Sequence, residues 1–301
     1  MDSPKNNCAK PFVKWVGGKT QLINELCKSL PASLGEKQGL TYVEPFVGGG
    51  AFLFWILQQF PNIQKAVIND INKHLMDTYT IIRDNVEDLI STLARSQEEY
   101  LSFCDEERRK AYYLSKRDEF NSDSKNELET AVLFIFLNRT CFNGLYRVNS
   151  KGKFNVPSGR YANPRICDAD TLRADSKLLQ KVEILCGDFS QTSKYATPDT
   201  IYYLDPPYKP LTETSAFTSY SSEGFNDSEQ IRLRDFCAEI SAKGALFIAS
   251  NSDPYQTSER NRFFDDIYGG FRIRRVSATR MVNCDPKGRG KLSELMITNI
   301  L

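Results

Sequence analysis

The chain has 301 residues, of which 41% are hydrophobic and 26% are charged. This is the composition of a globular protein with enough interior for a real core, and no run approaches the ~18 apolar residues of a membrane span, so we expect a cytoplasmic protein. The net charge of +1 excludes a strongly basic or acidic chain, and it does not by itself indicate a nucleic-acid partner.

The first predicted element is an apolar strand at residues 42–47, followed by Gly48-Gly49-Gly50 and a helical run over residues 51–59. A strand, a glycine turn and a helix bring backbone close to nucleotide-like ligands in open α/β sheets. The spacing is neither the dinucleotide pattern nor a phosphate-binding P-loop. The next strand, residues 66–69, ends in Asp70, where an acid typically meets a ribose hydroxyl. The alternative is that Asp70 only caps the following helix.

The middle of the chain has helical periodicity over residues 72–83, 86–96 and 127–137. Residues 138–163 are rich in Asn, Gly, Ser and Pro, which predicts loops and a hairpin around Lys151-Gly152. Six basic residues and no acid lie between Asn138 and Arg165: Arg139, Arg147, Lys151, Lys153, Arg160 and Arg165. A second basic stretch covers residues 271–291. Such stretches are typical of a surface that binds a phosphate backbone, and a solvated basic face is the alternative.

Strands are predicted at residues 182–186, 200–204, 245–250, 271–277 and 295–298, with a helix over residues 228–242. The simplest arrangement is an α/β sheet built from both ends of the chain. We therefore predict a discontinuous catalytic domain of residues 1–71 and 181–301, and an inserted, mostly helical domain of residues 72–180.

The strand at residues 200–204 ends in Asp205-Pro206-Pro207-Tyr208. Proline fixes φ and donates no N–H, so this turn is rigid and offers its carbonyl groups as acceptors. A carboxylate, a carbonyl and an aromatic ring together suit a planar ring with an exocyclic amine, which stacks on Tyr208 and donates to Asp205 and the Pro206 carbonyl. A plain strand-ending turn is the alternative.

The single histidine, His74, disfavours a Ser-His-Asp triad, and we predict it at the surface of the helix after Asp70. The eight cysteines are scattered without zinc spacing, so we predict reduced, mostly buried thiols and no metal.

Four motifs, in this order and spacing, resemble those of the Dam family of N6-adenine DNA methyltransferases. They are residues 11–19 around Trp15 and Lys19, residues 44–50 with the glycines, residues 143–147 with 154–157, and residues 205–208. The resemblance implies a class I S-adenosylmethionine-dependent methyltransferase sheet, Rossmann-like, with an inserted target-recognition domain. Residues 211–217 also resemble the branch found in restriction-modification systems that recognise GATC.

This resemblance implies that S-adenosylmethionine contacts Trp15, Gly17, Lys19, Glu44, Phe46, Gly48, Gly50, Asp70, Asp188, Phe189 and Asp205. The alternative to a cofactor contact is a core position for Trp15. For Lys19 the alternative is a surface position at the start of a helix. Glu44 is open to a structural role in which it binds backbone amides of residues 15–18. Asp205, Pro206, Pro207 and Tyr208 are implied to be catalytic, on an adenine flipped out of the duplex.

For double-stranded DNA, the resemblance implies contacts from Arg139, Phe142, Asn143, Leu145, Arg147, Lys151, Lys153, Pro157 and Arg160. Arg147 is the candidate for a guanine, Leu145 and Pro157 for a thymine methyl, and Phe142 for a wedge in the base stack. The lysines and the other arginines are expected at phosphates. A core role remains the alternative for Leu145 and Phe142.

The predicted function is therefore N6-adenine methylation within GATC, as protection against a cognate restriction endonuclease. Two other classes remain open from the residues. One is a methyltransferase of the same fold that acts on cytosine N4, RNA or a protein glutamine, and the other is a non-catalytic DNA-binding relative.

Overall fold

A computed structural model describes residues 8–15, 17, 22–123, 125–209, 225–256, 261–279 and 291–300. The chain divides into two compact units, a first unit of residues 1–18, 48–59 and 70–187 and a second unit of residues 19–47, 60–69 and 188–301. These bounds differ from those of the predicted domains, residues 1–71 with 181–301 and residues 72–180. The assignment of DNA recognition to residues 72–180 stays a prediction. Lys19 and residues 211–217 lie outside the described residues.

The described helices are α1 (Ile23–Cys27), α2 (Ala51–Gln59), α3 (Lys73–Asp84), α4 (Val86–Ser102), α5 (Glu106–Phe120), α6 (Glu127–Thr140), α7 (Ala169–Leu179), α8 (Asp227–Ala242) and α9 (Phe263–Ile267). The strands are β1 (Leu40–Glu44), β2 (Ile63–Asp70), β3 (Val182–Cys186), β4 (Thr200–Leu204), β5 (Leu246–Ser252), β6 (Arg272–Thr279) and β7 (Lys291–Thr298). The predicted helices are confirmed as α2, α3, α4, α6 and α8, and the α/β class is confirmed. Helices α1, α5, α7 and α9 were not predicted.

The first unit is built around α6, against which α3, α4 and α5 pack. Residues 131–138 of α6 are buried without interruption, because apolar side chains surround the whole helix rather than one stripe. Asn126 and Glu129 form a capping box that fixes where α6 begins. Asn72 caps α3 in a related way, since its side chain accepts a bond from the Leu75 N–H at 3.1 Å.

The second unit carries six described strands in the order β2-β1-β4-β5-β7-β6. Strand β1 is parallel to both β2 and β4, and β4 is parallel to β5, whereas β7 runs antiparallel to β5 and β6. All five residues of β4 are buried, which explains its continuous apolar sequence. Because β1 and β4 are parallel neighbours, Glu44 and Asp205 lie at the same edge of the sheet.

Candidate active site and DNA-binding hairpin

The glycine loop of the first unit closes around the carboxylate of Asp70. The Gly48 N–H donates to Asp70 Oδ2 at 3.1 Å, and the Asn72 N–H donates to Oδ1 at 3.0 Å. Desolvation of this carboxylate raises the pKa of Asp70 above its usual range, although these two bonds act against the shift. Gly48 and Gly50 have φ values of 48° and 72°, in the left-handed region that favours glycine.

Trp15 covers this loop. A Cβ atom at Gly48 would lie only 2.7 Å from Trp15 Cδ1, so the indole fits only against a glycine. The indole also stacks on Tyr146, with centroids 5.9 Å apart and planes at 27°. Trp15 is half-buried, and its contact with the cofactor stays a prediction.

Tyr79, on α3, supports this loop, and the sequence analysis did not identify it. Its hydroxyl donates to the Gly48 carbonyl at 3.0 Å, and a Cβ at Gly50 would lie 2.5 Å from that oxygen. Tyr79 is fully buried on α3. The sequence signal for its burial was its position in the apolar stripe of α3. A buried tyrosine hydroxyl usually needs a hydrogen-bond partner, and this requirement could have indicated a backbone carbonyl nearby.

The turn predicted to be catalytic, residues 205–208, follows β4 in the second unit. Ser250 Oγ donates to Asp205 Oδ1 at 2.8 Å, and the Tyr208 hydroxyl donates to Glu294 Oε2 at 2.7 Å. The pKa of Tyr208 is raised well above its ordinary value by desolvation and by the nearby carboxylates of Asp205 and Glu294. The ring is therefore neutral and anchored at its polar end.

Three other predicted cofactor residues also belong to the second unit. The rings of Phe46 and Phe189 contact each other with centroids 5.2 Å apart. Asp188 receives a bidentate pair from Arg232, at 2.9 and 2.7 Å, which holds the pKa of Asp188 well below its usual range. The Arg232 guanidinium also lies 4.2 Å above the Phe189 ring. Arg232 was not predicted, because nothing in the sequence places α8 beside Asp188.

Glu44 is buried and accepts a bond from the Tyr42 hydroxyl at 2.6 Å. This gives Glu44 a structural partner within its own strand. Gly17 has a φ of 81° and is exposed. The cofactor contacts of both residues stay predictions.

The predicted hairpin around Lys151-Gly152 is confirmed. Val148 and Phe154 form an antiparallel bridge, and the Asn149 N–H donates to the Lys153 carbonyl at 2.9 Å. Asn149 Oδ1 accepts from the N–H groups of Lys151 and Lys153, which closes the turn. Within the part of the chain that the structure describes, neither lysine has a carboxylate within ion-pair distance.

The side chains beside this hairpin are largely exposed. Phe142 is 50% exposed, so a core role does not apply to it, whereas Leu145 is half-buried. Asn143 adopts a φ of 54°, which turns the chain sharply between them. Arg147 and Pro157 are exposed, and the Arg147 Nε–H donates to Asn155 Oδ1 at 2.8 Å.

Other basic residues of the first stretch have protein partners. Arg139 donates twice to the Phe12 carbonyl, at 3.1 and 2.6 Å, and its burial lowers the pKa of the guanidinium. This geometry favours a structural role for Arg139, and its contact with a phosphate stays a prediction. Arg160 and Arg165 pair with Glu106 and Asp168, at 3.2 and 2.7 Å.

Two arginines in the described part of the second basic stretch are paired with carboxylates. Arg274 lies 3.1 Å from Glu25, while Arg275 lies 3.1 Å from Asp253 and 2.7 Å from Asp265. These pairs favour a structural role for both arginines over a phosphate contact. Arg280, Lys287 and Arg289 lie outside the described residues.

Two expectations about titratable residues are wrong. His74 lies on α3 as predicted, but it is half-buried, with its ring 4.8 Å from Phe120 and Nδ1 3.0 Å from the Tyr146 hydroxyl. Among the described thiols, only those of Cys141 and Cys237 are buried.

Neither a helix long and apolar enough to cross a membrane nor a group of ligands suited to a metal occurs in the described ranges.

The chain is similar to known proteins along most of its length. Residues 15–282 match the family of D12 class N6 adenine-specific DNA methyltransferases. The chain is 47% identical to the type II methyltransferase M.MjaIII of Methanocaldococcus jannaschii, over 96% of this chain and 99% of that protein. It is 39% identical to the type II methyltransferase M1.LlaDCHI of Lactococcus lactis, over 96% and 95%. It is 34% identical to a DNA adenine methylase of Haemophilus influenzae, over 95% and 92%. The chain therefore belongs to the D12 class of N6-adenine DNA methyltransferases, enzymes whose methyl donor is S-adenosylmethionine.

Proposed function

We propose that this enzyme methylates adenine N6 within GATC in double-stranded DNA, on a base flipped out of the helix, as the methyltransferase of a restriction-modification system. The observation that carries the proposal is the catalytic turn, in which Asp205 accepts a hydrogen bond from the buried Ser250 and Tyr208 donates one to Glu294. Membership of the N6-adenine-specific family argues against the alternatives, which were methylation of cytosine N4, RNA or a protein glutamine, and non-catalytic DNA binding.

The chemical obstacle at adenine N6 is that its lone pair is delocalised into the ring. Asp205 and the Pro206 carbonyl can each accept one amine hydrogen, which moves the nitrogen toward sp3 geometry and directs its lone pair away from the ring. The negative charge of Asp205 also stabilises the positive charge that develops on the nitrogen. Ser250 supports this role because its bond to Oδ1 orients the carboxylate before the base arrives.

The base is enclosed in a duplex, so it must leave the stack before Asp205 can reach it. We assign Tyr208 as the ring on which the flipped adenine stacks. Its hydroxyl is tied to Glu294 at 2.7 Å, which anchors the far end of the ring and limits its swing about χ1. Phe142, half exposed beside the hairpin, is assigned to the gap that the adenine leaves.

The residues present fit S-adenosylmethionine, which when bound supplies a methyl group on a positively charged sulfur. Asp70 offers a carboxylate for ribose hydroxyls, and Gly48 keeps the loop open where any side chain would meet Trp15. In the second unit, Asp188 and Phe189 are assigned to the adenine of the cofactor, by hydrogen bond and by packing. Arg232 holds both side chains in place, since it pairs with Asp188 and lies over the ring of Phe189.

For sequence recognition we assign Arg147 to a guanine, and Leu145 and Pro157 to a thymine methyl. Exposure of Arg147 and its bond to Asn155 support this assignment, because the guanidinium is presented in a fixed orientation. Lys151 and Lys153 are assigned to phosphates, which position the duplex without specifying it. The role in restriction-modification is supported by the relatives named type II methyltransferases.

The test compares the parent with Asp205→Ala on duplexes that contain GATC or a site altered at one base. We expect the parent to methylate only the intact site, and Asp205→Ala to bind the duplex but transfer no methyl group. A fluorescent adenine analogue at the target position should brighten when either protein binds, as the base leaves the stack. Activity of Asp205→Ala within tenfold of the parent, or equal parental rates on altered sites, contradicts the proposal.

A further inference from the structure

Two buried carboxamides bridge the backbone on either side of Tyr208. Gln230 Nε2 donates to the Pro207 carbonyl at 3.0 Å, and Asn251 Nδ2 donates to Gln230 Oε1 at 3.0 Å. Asn251 Oδ1 then accepts from the Lys209 N–H at 3.2 Å. The chain of bonds therefore leaves the turn before Tyr208, passes through α8 and β5, and returns to the backbone directly after Tyr208.

The polarity of this bridge is fixed by the backbone. Asn251 Oδ1 accepts from two N–H groups, those of Lys209 and Ser252, the second at 2.9 Å. The Asn251 amide must therefore point its nitrogen at Gln230, and Gln230 must in turn point its nitrogen at the Pro207 carbonyl. Neither amide can rotate by half a turn without placing two acceptors or two donors face to face.

Burial makes the bridge costly to break. Gln230 is 0% and Asn251 is 3% exposed, so water does not replace a lost partner. Prolines 206 and 207 have no N–H with which to hold the turn from within. The turn is instead held from outside by the bridge and by Ser252, whose hydroxyl donates to the Lys209 carbonyl at 2.7 Å.

We propose that Gln230 and Asn251 are positioning residues for methyl transfer, which hold the backbone of the catalytic turn so that Tyr208 and the Pro206 carbonyl face the adenine together. This inference rests on the proposed function of Asp205–Tyr208. Both carboxamides are bonded to protein groups, so we assign neither of them a contact with the base or the methyl donor. They act through the turn, so their loss should slow the chemical step and leave cofactor binding intact.

Two isosteric substitutions test the polarity of the bridge. Gln230→Glu places a carboxylate oxygen against the Pro207 carbonyl, and Asn251→Asp places one against Gln230 Oε1. Asn299→Asp is the matched control in the same unit. Asn299 also joins backbone groups through its carboxamide, accepting from the Phe247 N–H at 2.9 Å and donating to the Ala245 carbonyl at 2.8 Å, but at the opposite end of β5.

The readout is the single-turnover rate of methyl transfer at saturating DNA and S-adenosylmethionine, with cofactor affinity and thermal unfolding measured for each variant. We expect Gln230→Glu and Asn251→Asp each to lose roughly tenfold or more in rate, because small misplacements of reacting groups have effects of this size or larger. Their dissociation constants for S-adenosylmethionine should stay within about twofold. Asn299→Asp should keep its rate within about twofold, even where it unfolds at a lower temperature.

A pH series adds a readout that a merely structural role would not move. A protonated Glu at position 230 can donate to the Pro207 carbonyl and accept from Asn251, so it restores the bridge. The rate of Gln230→Glu relative to the parent should therefore rise as pH falls. A reduced rate whose ratio to the parent stays flat with pH overturns the proposal.

Three further results separate the possible failures. If either bridge variant keeps its rate within about twofold at the alkaline end of the pH series, where its new carboxyl is ionised, or if Asn299→Asp loses as much rate as they do, the bridge does not position the turn. Asp205→Ala in the same assay tests the underlying function. An inert Asp205→Ala beside an unaffected Gln230→Glu overturns the bridge alone, whereas an active Asp205→Ala overturns the assigned active site.

Discussion

Gly48 lies directly against the indole of Trp15. The Cβ atom that any other residue would add at position 48 falls 2.7 Å from Cδ1 and 2.9 Å from Nε1 of the tryptophan. The φ of Gly48 is 48°, and its carbonyl accepts from the buried Tyr79 hydroxyl. The glycine is therefore required twice, once by its backbone conformation and once by the close approach of the ring.

Gly48→Ala should weaken S-adenosylmethionine binding as well as stability. Gly39→Ala is the control, because Gly39 has a φ of 73° but open space where a Cβ would go. The control should lose about 1–2 kcal/mol of unfolding free energy from the left-handed backbone alone and keep its cofactor affinity. Gly48→Ala should lose more, since Trp15 must also move. Urea unfolding and calorimetry measure the two effects, and identical results for both variants would show that the contact with Trp15 is unimportant.

Asp70→Asn should reduce cofactor affinity by roughly 1.5–3 kcal/mol, the usual contribution of hydrogen bonds to a charged group. The parent should also bind S-adenosylmethionine less well as pH falls. The pKa of Asp70 is raised by desolvation, so its carboxylate is protonated at a higher pH than an ordinary aspartate and becomes a poorer acceptor for ribose hydroxyls. Calorimetry across a pH series should show this decline in the parent and not in Asp70→Asn. If cofactor affinity depends on pH equally in the two proteins, Asp70 only stabilises the glycine loop and does not bind the cofactor.

The strands and the main motifs were predictable because each depends on local sequence. The run Thr200–Leu204 is buried throughout and ends at prolines, so both its type and its end were visible. Helix α3 begins at an asparagine cap, and a cap is also a local signal. Helix α5 was missed because its polar sequence has only two buried residues, Tyr113 and Phe120, which gives almost no periodicity.

The partners of the site residues were not predictable, because they are distant in sequence. Arg232 reaches Asp188 across 44 positions, and Glu294 reaches Tyr208 across 86. The charge pattern around Arg139 indicated DNA, but the fold turns this side chain toward the Phe12 carbonyl. Charge along a sequence therefore predicted the basic hairpin tip at Lys151 and Lys153, but it did not predict that the arginines of this stretch would be bonded within the protein.

Asp175→Asn should stabilise the protein at alkaline pH. Asp175 is fully buried, its Oδ1 accepts from the Lys10 N–H at 3.0 Å, and its Oδ2 has no hydrogen-bond partner among the described residues. Burial raises the pKa of Asp175 to about 8. The unfolded chain releases this proton near pH 4, so the parent should lose stability as pH rises from about 4 to about 8, by at most ~1.4 kcal/mol per pH unit. Unfolding free energies of parent and variant should diverge over this window, and parallel curves would show that Asp175 is ionised when buried.

Arg147→Ala should reduce discrimination between DNA sequences more than it reduces affinity for DNA. A bidentate arginine–guanine contact contributes about 1–3 kcal/mol against a wrong base, whereas a phosphate contact is independent of sequence. The variant should therefore methylate sites altered at one guanine relatively better than the parent does, with little change in the salt dependence of binding. Asn155→Ala should have a weaker effect in the same direction, because Asn155 Oδ1 orients the Arg147 guanidinium through the 2.8 Å bond to Nε.

Lys153→Ala is the matched comparison on the same hairpin, since Lys153 is exposed and has no carboxylate at ion-pair distance among the described residues. It should lower affinity for all sequences alike and reduce the slope of log affinity against log salt by about one unit. Relative rates on single-base variants of GATC, measured at two salt concentrations, distinguish the two behaviours. If Arg147→Ala loses activity equally on every sequence and also flattens the salt dependence, Arg147 binds a phosphate, and sequence is recognised by other side chains of the hairpin.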